Sequence, residues 1–317
     1  MRIRAIGDVL KVWLFAAVVV ALGAWLAPRL FNAGKALAEV SSSRTTNGAV
    51  EWLGAACQKA DFPQFFTASV LLATVVLFFP WLRWLRPRHG AIAETTVTKC
   101  GPLWRETACG LWHGGGGFLL VTGVWLALIG VLFLTGNLLS SHFAGGWQAF
   151  ALRALAGSFA LAVLMEGFFR GVVMGVFLRA MRPAAAIGMN AVFFAFALAV
   201  IAPHGVMVAD PAAANSGFRM LRLVAWRWAE WQDACGILVP LLALGIVLAY
   251  ARWRTAALWL PIGLHAGWRF AREAQAGLLD AAAPVLTGKG LQQGWIPVIA
   301  IVVAGVLAHH LTAKPAP

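Results

Sequence analysis

The sequence predicts an all-α integral membrane protein, a polytopic bundle of about eight transmembrane helices. Three observations predict it. Of 317 residues, 61% are hydrophobic and only 12% charged, whereas about a quarter of a soluble domain is charged. The apolar residues fall in runs close to the ~20 residues that a helix needs to cross hydrocarbon. The arginines cluster beside those runs, where cations bind anionic headgroups and orient the chain. A net charge of +13 would suggest nucleic acid in a soluble chain. Here its placement makes membrane lipids the expected partner, and no nucleic acid.

Taken in order, the apolar spans lie near 12–31, 65–85, 117–139, 149–169, 184–202, 234–251, 255–271 and 295–311. The start, Met1-Arg2-Ile3-Arg4, is charged like a signal sequence, and Ala36-Leu37-Ala38 resembles a cleavage site. The long apolar run and the spans that follow favour an uncleaved first transmembrane helix. The fourth span continues as an apolar helix past Arg170 to about Met181, where Arg179, Arg182 and Pro183 end it. The seventh is shorter and contains His265 and Arg269. If every span crosses, Arg83/Arg86/Arg88, Arg179/Arg182 and Arg252/Arg254 share a side with Arg2, Arg4 and Lys11. By the positive-inside rule that side is the cytoplasm and both termini lie there, in a bacterial plasma membrane.

Residues 32–64 and 86–116 are more polar, with Ser41–Ser43 and the Gly114–Gly117 run marking flexible connections. The stretch 215–233 interleaves Arg219, Arg222 and Arg227 with Trp226, Trp228 and Trp231, the pattern of an amphipathic helix lying in the interface. Four cysteines are scattered without metal-ligand spacing. Cys57 and Cys235 would be candidates for a disulfide if both face outside. No internal repeat or separate soluble domain is visible. The chain divides by pattern into 1–148, N-terminal spans and loops; 149–272, a core that carries the polar chemistry; and 273–317, a last span and tail.

Polar chemistry enters the membrane at two places. Between Leu155 and Phe169 the one ionisable residue is Glu166, and Arg170 follows at i+4 on the same helix face. A charge in hydrocarbon costs at least ~2.5–3.5 kcal/mol, so it needs a partner or a polar cavity, and an intramembrane acid is by default a functional site. The bland alternative is a neutralised pair that locks helix packing. The second place is Gly263-Leu264-His265-Ala266-Gly267-Trp268-Arg269, where His265 and Arg269 are one turn apart and the glycines permit close helix approach. A lone histidine on an apolar helix is more often a satisfied core residue. Two such pairs in one bundle raise the odds of a shared cavity, where Glu166 and His265 would suit a general base, a proton relay or a polar pocket.

Glu166-x-x-x-Arg170-Gly171, followed by Gly263-Leu-His265-Ala-Gly-Trp268, resembles the CPBP family of CAAX proteases, bacteriocin-processing and abortive-infection proteins. The resemblance covers about 150–272 and implies a multi-span intramembrane endopeptidase acting on a peptide or membrane-protein substrate. It is incomplete. The family's first motif is Glu-Glu-x-x-x-Arg, and Met165 stands at the first Glu. Its second is Phe-x-x-x-His. Phe193, Phe194 and Phe196 are present, but Ala197, Leu198 and Val200 follow where the His belongs, and His204 lies four residues beyond Val200. The third, His-x-x-x-Asn or Asp, keeps His265 and has Arg269 at its end. The missing Glu and His are implied to activate water, and the last His and Asn to stabilise the oxyanion. Losing these groups costs orders of magnitude in rate unless Glu166, with His265 or His204, takes over as base and Arg269 serves as a donor. Arg269 pairing with Glu166 would instead make it a poor base.

The candidate catalytic residues are therefore Glu166, Arg170, His265, Arg269 and His204. Glu166 and His265 are too few for a zinc site, and no metal or other cofactor is expected. Three functions stay open: an intramembrane endopeptidase of weakened activity, an inactive relative that binds a membrane peptide or partner, and a small proton-coupled transporter titrating Glu166. The lack of inverted repeats weighs against the third.

Overall fold

The computed structural model describes residues 2–43, 47–85, 103–136, 138–140, 146–201, 206–281 and 295–312. They form α1 (Arg2–Ser43), α2 (Gly48–Lys59), α3 (Phe62–Leu85), α4 (Leu103–Leu134), α5 (Trp147–Glu166), a π-helical turn (Gly167–Val173), α6 (Met174–Ala180), α7 (Pro183–Ile201), α8 (Ser216–Ala229), α9 (Trp231–Thr255), α10 (Trp259–Leu278) and α11 (Trp295–Leu311). Two three-residue strands, β1 (Leu138–Ser140) and β2 (Leu279–Ala281), pair antiparallel. The fold is otherwise all-helical.

By length and composition, six described helices can cross a membrane: Ile6–Ser43, Phe62–Leu85, Gly110–Leu134, Trp147–Ala180, Pro183–Val200 and Ala234–Thr255, with Trp295–Leu311 shorter. Their outward faces carry exposed Leu71, Val75, Val76 and Phe79 on α3, and Ile299, Val302 and Val306 on α11. An exterior of this kind is stable against lipid, not water. The protein is an integral membrane helical bundle.

Contacts divide the chain into two units. One comprises 1–5, 91–195 and 235–317, the other 6–90 and 196–234. In the second, α1 is far longer than the expected 12–31 span, and the polar stretch after it is helical, not a loop. Lys35 explains part of this: its Nζ donates to the carbonyls of Cys57, Gln58 and Ala60, satisfying the C-terminal end of α2. Asn47 caps the other end by accepting from the amides of Ala49 and Val50. Gly23 lies against Val70 of α3, and Ser69 Oγ donates to the Gly23 carbonyl. The amphipathic helix expected over 215–233 is α8. It is shorter at both ends because Glu230 is extended and α9 begins at Trp231. Cys57 and Cys235 are free thiols, so the disulfide expectation is not met.

In the first unit, α10 settles the seventh span. With Arg269, Arg272, Glu273 and Gln275 in its second half, it is not apolar enough to qualify by composition. It nevertheless runs the length of α4: Gly110 meets the Trp259 ring, Gly263 meets the Gly114 backbone and Gly267 meets Phe118. Each contact advances four residues on both helices, so the two are parallel, and the β1–β2 pair ties together the segments that follow them. A helix that accompanies an apolar span along its length is placed to cross with it, and residues 260–268 of α10 are buried. The Gly114–Gly117 run is thus no flexible connection. It lies inside α4, where absent side chains let the backbones touch.

Candidate active site

Helix α5 points Ala154, Ser158, Ala162 and Glu166 inward at four-residue spacing, and all four are buried. Ala162 packs with Ile262 and Ala266 of α10, flanked by Phe118, Phe159 and Leu258. One turn further, the helix widens to π geometry over Gly167–Val173, which turns Phe169, Arg170 and Val173 inward. Such turns are rare and recur at functional sites. Phe169 O accepts twice: Asn190 Nδ2 of α7 donates to it at 2.8 Å, and the Met174 amide donates to the same oxygen.

Glu166 is the hub. Arg170 Nη1 lies 3.1 Å from Oε1, and His265 Nδ1 lies 2.7 Å from the same atom. Glu166, Arg170 and His265 are 0%, 1% and 2% exposed, so the charge is met inside the protein and not by solvent. Arg170 extends its other nitrogen, Nη2, to the Gly245 carbonyl of α9 at 3.3 Å. Its guanidinium lies 4.2 Å from the centroid of the Phe194 ring, a cation–π placement. The Phe194 ring in turn meets His265 edge-on at 6.0 Å. Four elements therefore fix the constellation: α5 with its π-turn, α7, α9 and α10.

The contact on Nδ1 sets the tautomer. A carboxylate oxygen only accepts, so Nδ1 is the donor, and in the neutral ring Nε2 then carries the lone pair. Several buried polar atoms around this hub have no partner among the described residues: Glu166 Oε2, Arg170 Nε, Asn190 Oδ1 and Ser158 Oγ. Unsatisfied groups of this kind are costly in a resting core.

The structure brings three of the five candidates together, Glu166, Arg170 and His265. Arg269 does not join them. Its side chain is 33% exposed and faces Glu273 at 3.9 Å, so it neither pairs with Glu166 nor lies beside His265. His204 falls outside the described residues. Asn190 was not among the candidates, although a signal exists: it is the one polar residue between Pro183 and Ile201. Among the described residues no group of three or more His, Cys, Asp or Glu could hold a metal ion.

Residues 146–271 match a family described as type II CAAX prenyl endopeptidase Rce1-like. This part of the chain is a CPBP-family domain. It contains every side chain of the Glu166 hub, from Ser158 to His265. No curated protein matches the chain, and no solved structure does.

Proposed function

We propose that the protein is a slow intramembrane endopeptidase in which His265 is the general base and Glu166 orients it. The single observation that carries this reading is the 2.7 Å contact between His265 Nδ1 and Glu166 Oε1. The contact leaves Nε2 as the ring nitrogen not engaged by Glu166, and so the one available to act as base. In the reaction, His265 Nε2 takes a proton from water while the new hydroxide adds to the scissile carbonyl carbon. Glu166 balances the imidazolium charge through Nδ1–H. Collapse of the tetrahedral intermediate breaks the C–N bond, and the leaving amine takes the proton back from His265. Arg170 holds Glu166 in place throughout.

This differs from the roles that the family resemblance implies, where a glutamate activates water and the last histidine donates to the oxyanion. With Met165 at the first acid position and no histidine four residues after Phe193, Phe194 or Phe196, the Glu166–His265 pair is the remaining machinery. With Arg269 turned toward Glu273, the third motif lacks its second oxyanion donor. Loss of one such donor costs about 10²–10³ in rate, which is why turnover is slow. The arginine clusters support cytoplasmic termini in a bacterial plasma membrane. His265 lies six residues into α10, about 9 Å from that end at 1.5 Å per residue, so a membrane peptide reaches it from the cytoplasmic side.

Incubating the purified protein in liposomes with C-terminal peptides, prenylated and unprenylated, tests the reading by mass spectrometry of the products. Glu166→Gln and His265→Ala should each reduce cleavage at least about 100-fold. Wild-type turnover in either variant overturns the proposal. The substituted motif positions favour one second reading, a relative that binds such a peptide without cleaving it. Peptide binding that depends on Glu166, with no product from the wild type, would select it.

A further inference from the structure

We infer that α8 forms a binding site for the phosphate of an anionic phospholipid, held by Arg219 and Arg222. The site is a groove of about 500 Å³ within the unit of residues 6–90 and 196–234, lined by Met207, Val208, Asn215, Arg219, Arg222 and Leu223 among others. Among the described residues no acidic side chain lines it. Arg219 and Arg222 are three residues apart, so both guanidinium groups leave the same face of the helix. The pair presents a fork of donors that suits the oxygens of a phosphate. Neither arginine has an ion-pair partner among the described residues.

The helix is built to hold this face still. Ser216, Gly217, Met220 and Val224 form its buried side. Gly217 touches the Ala24 backbone of α1 so closely that no side chain fits there. Asn32 of α1 donates to the Ala212 carbonyl at 3.3 Å, fixing the segment that leads into the helix. Polar capacity at the helix start is unspent. Asn215 occupies the N-cap position without a side-chain cap bond, unlike Asn47 at α2, and Ser216 Oγ is buried without a partner among the described residues.

The surroundings select a lipid as the source of the phosphate. Met207 is 89% exposed and Trp226 68% exposed. Trp226 follows Arg219 by seven residues and so stands on the same helix face. Large apolar side chains around a cationic groove suit glycerol and acyl carbons, and a tryptophan belongs at headgroup depth. The site is independent of the Glu166 hub and of the endopeptidase reading.

Native mass spectrometry of the full-length protein, released from nanodiscs of 1:1 phosphatidylglycerol and phosphatidylcholine, tests the inference. The wild type should retain phosphatidylglycerol in preference to phosphatidylcholine. The exposed pair Arg219→Gln/Arg222→Gln should weaken that retention at least about tenfold, since each cation near an anionic surface contributes substantially to binding. Arg153→Gln, exposed on α5, should leave it unchanged. Circular dichroism verifies that the double variant keeps its helical content. Equal retention by the wild type and the double variant overturns the site. Displacement of the lipid by millimolar inorganic phosphate as effectively as by soluble phosphatidylglycerol overturns the lipid assignment in favour of a free phosphate.

Discussion

Two glutamate–arginine pairs at i,i+4 spacing lie in the same unit of this protein, and they have different fates. Glu166 and Arg170 are buried, 3.1 Å apart, and share their contact oxygen with His265. Arg269 and Glu273 on α10 are 3.9 Å apart, with side chains 33% and 48% exposed. Chemistry and spacing are nearly the same, so neither explains the difference. What differs is the third partner and the neighbouring helices. The first pair is closed over by Gly245 of α9 and Phe194 of α7, and the second has no further contact of this kind among the described residues. Breaking a buried pair strands a charge and costs about 3–5 kcal/mol, whereas exposed pairs are worth about 0–1 kcal/mol.

The largest expected effect follows from that contrast. Arg170→Ala should lower the unfolding free energy by about 3–5 kcal/mol, read as a fall in thermal unfolding temperature in detergent. A loss under about 1 kcal/mol would put the two pairs in one class. Next comes the seam that positions His265. Gly263→Ala drives a methyl into the Gly114 backbone and should cost about 1–3 kcal/mol, while Gly115→Ala, open on the same run, should cost almost nothing. Asn190→Leu removes the donor on the Phe169 carbonyl and should cost about 0.5–1.5 kcal/mol, the Met174 amide remaining in place. The smallest effect belongs to Arg269→Gln, at about 0–1 kcal/mol. High salt should abolish that small difference and leave the Arg170→Ala loss intact, because exposed charges are screened and buried ones much less.

The parts legible in the sequence are those set by local spacing. The apolar runs gave the bundle, the four-residue step from Glu166 to Arg170 gave a same-face pair, and the apolar helix past Arg170 continues to Ala180. The illegible parts depend on what packs against a segment. Gly114–Gly117 reads as a hinge until α10 lies on it, since a glycine run serves a loop and a backbone contact equally. The π-turn has no sequence signature, because one inserted residue per turn leaves the apolar pattern nearly intact. Arg269, one turn from His265, reads as a site residue by spacing. Its side chain faces the neighbouring Glu273 instead, at 3.9 Å, on the partly exposed side of α10. The polar stretch after the first span is helical because Lys35 reaches three carbonyls of the next helix, a contact no local pattern encodes. Asn190 was detectable as a single amide in an apolar helix, but its partner is a backbone carbonyl on another helix, which no local pattern names.

A double-mutant cycle between Glu166 and His265 tests the account most directly, because it needs no substrate and reads the contact itself. Glu166→Gln, His265→Gln and the double variant would be compared by thermal unfolding of the full-length protein. Groups in contact couple by about 0.5–3 kcal/mol, and a value above about 1 kcal/mol is the result expected for a buried, charge-assisted bond. Additivity within about 0.3–0.5 kcal/mol would mean that the acid and the imidazole do not act on one another, and the dyad would have to be abandoned.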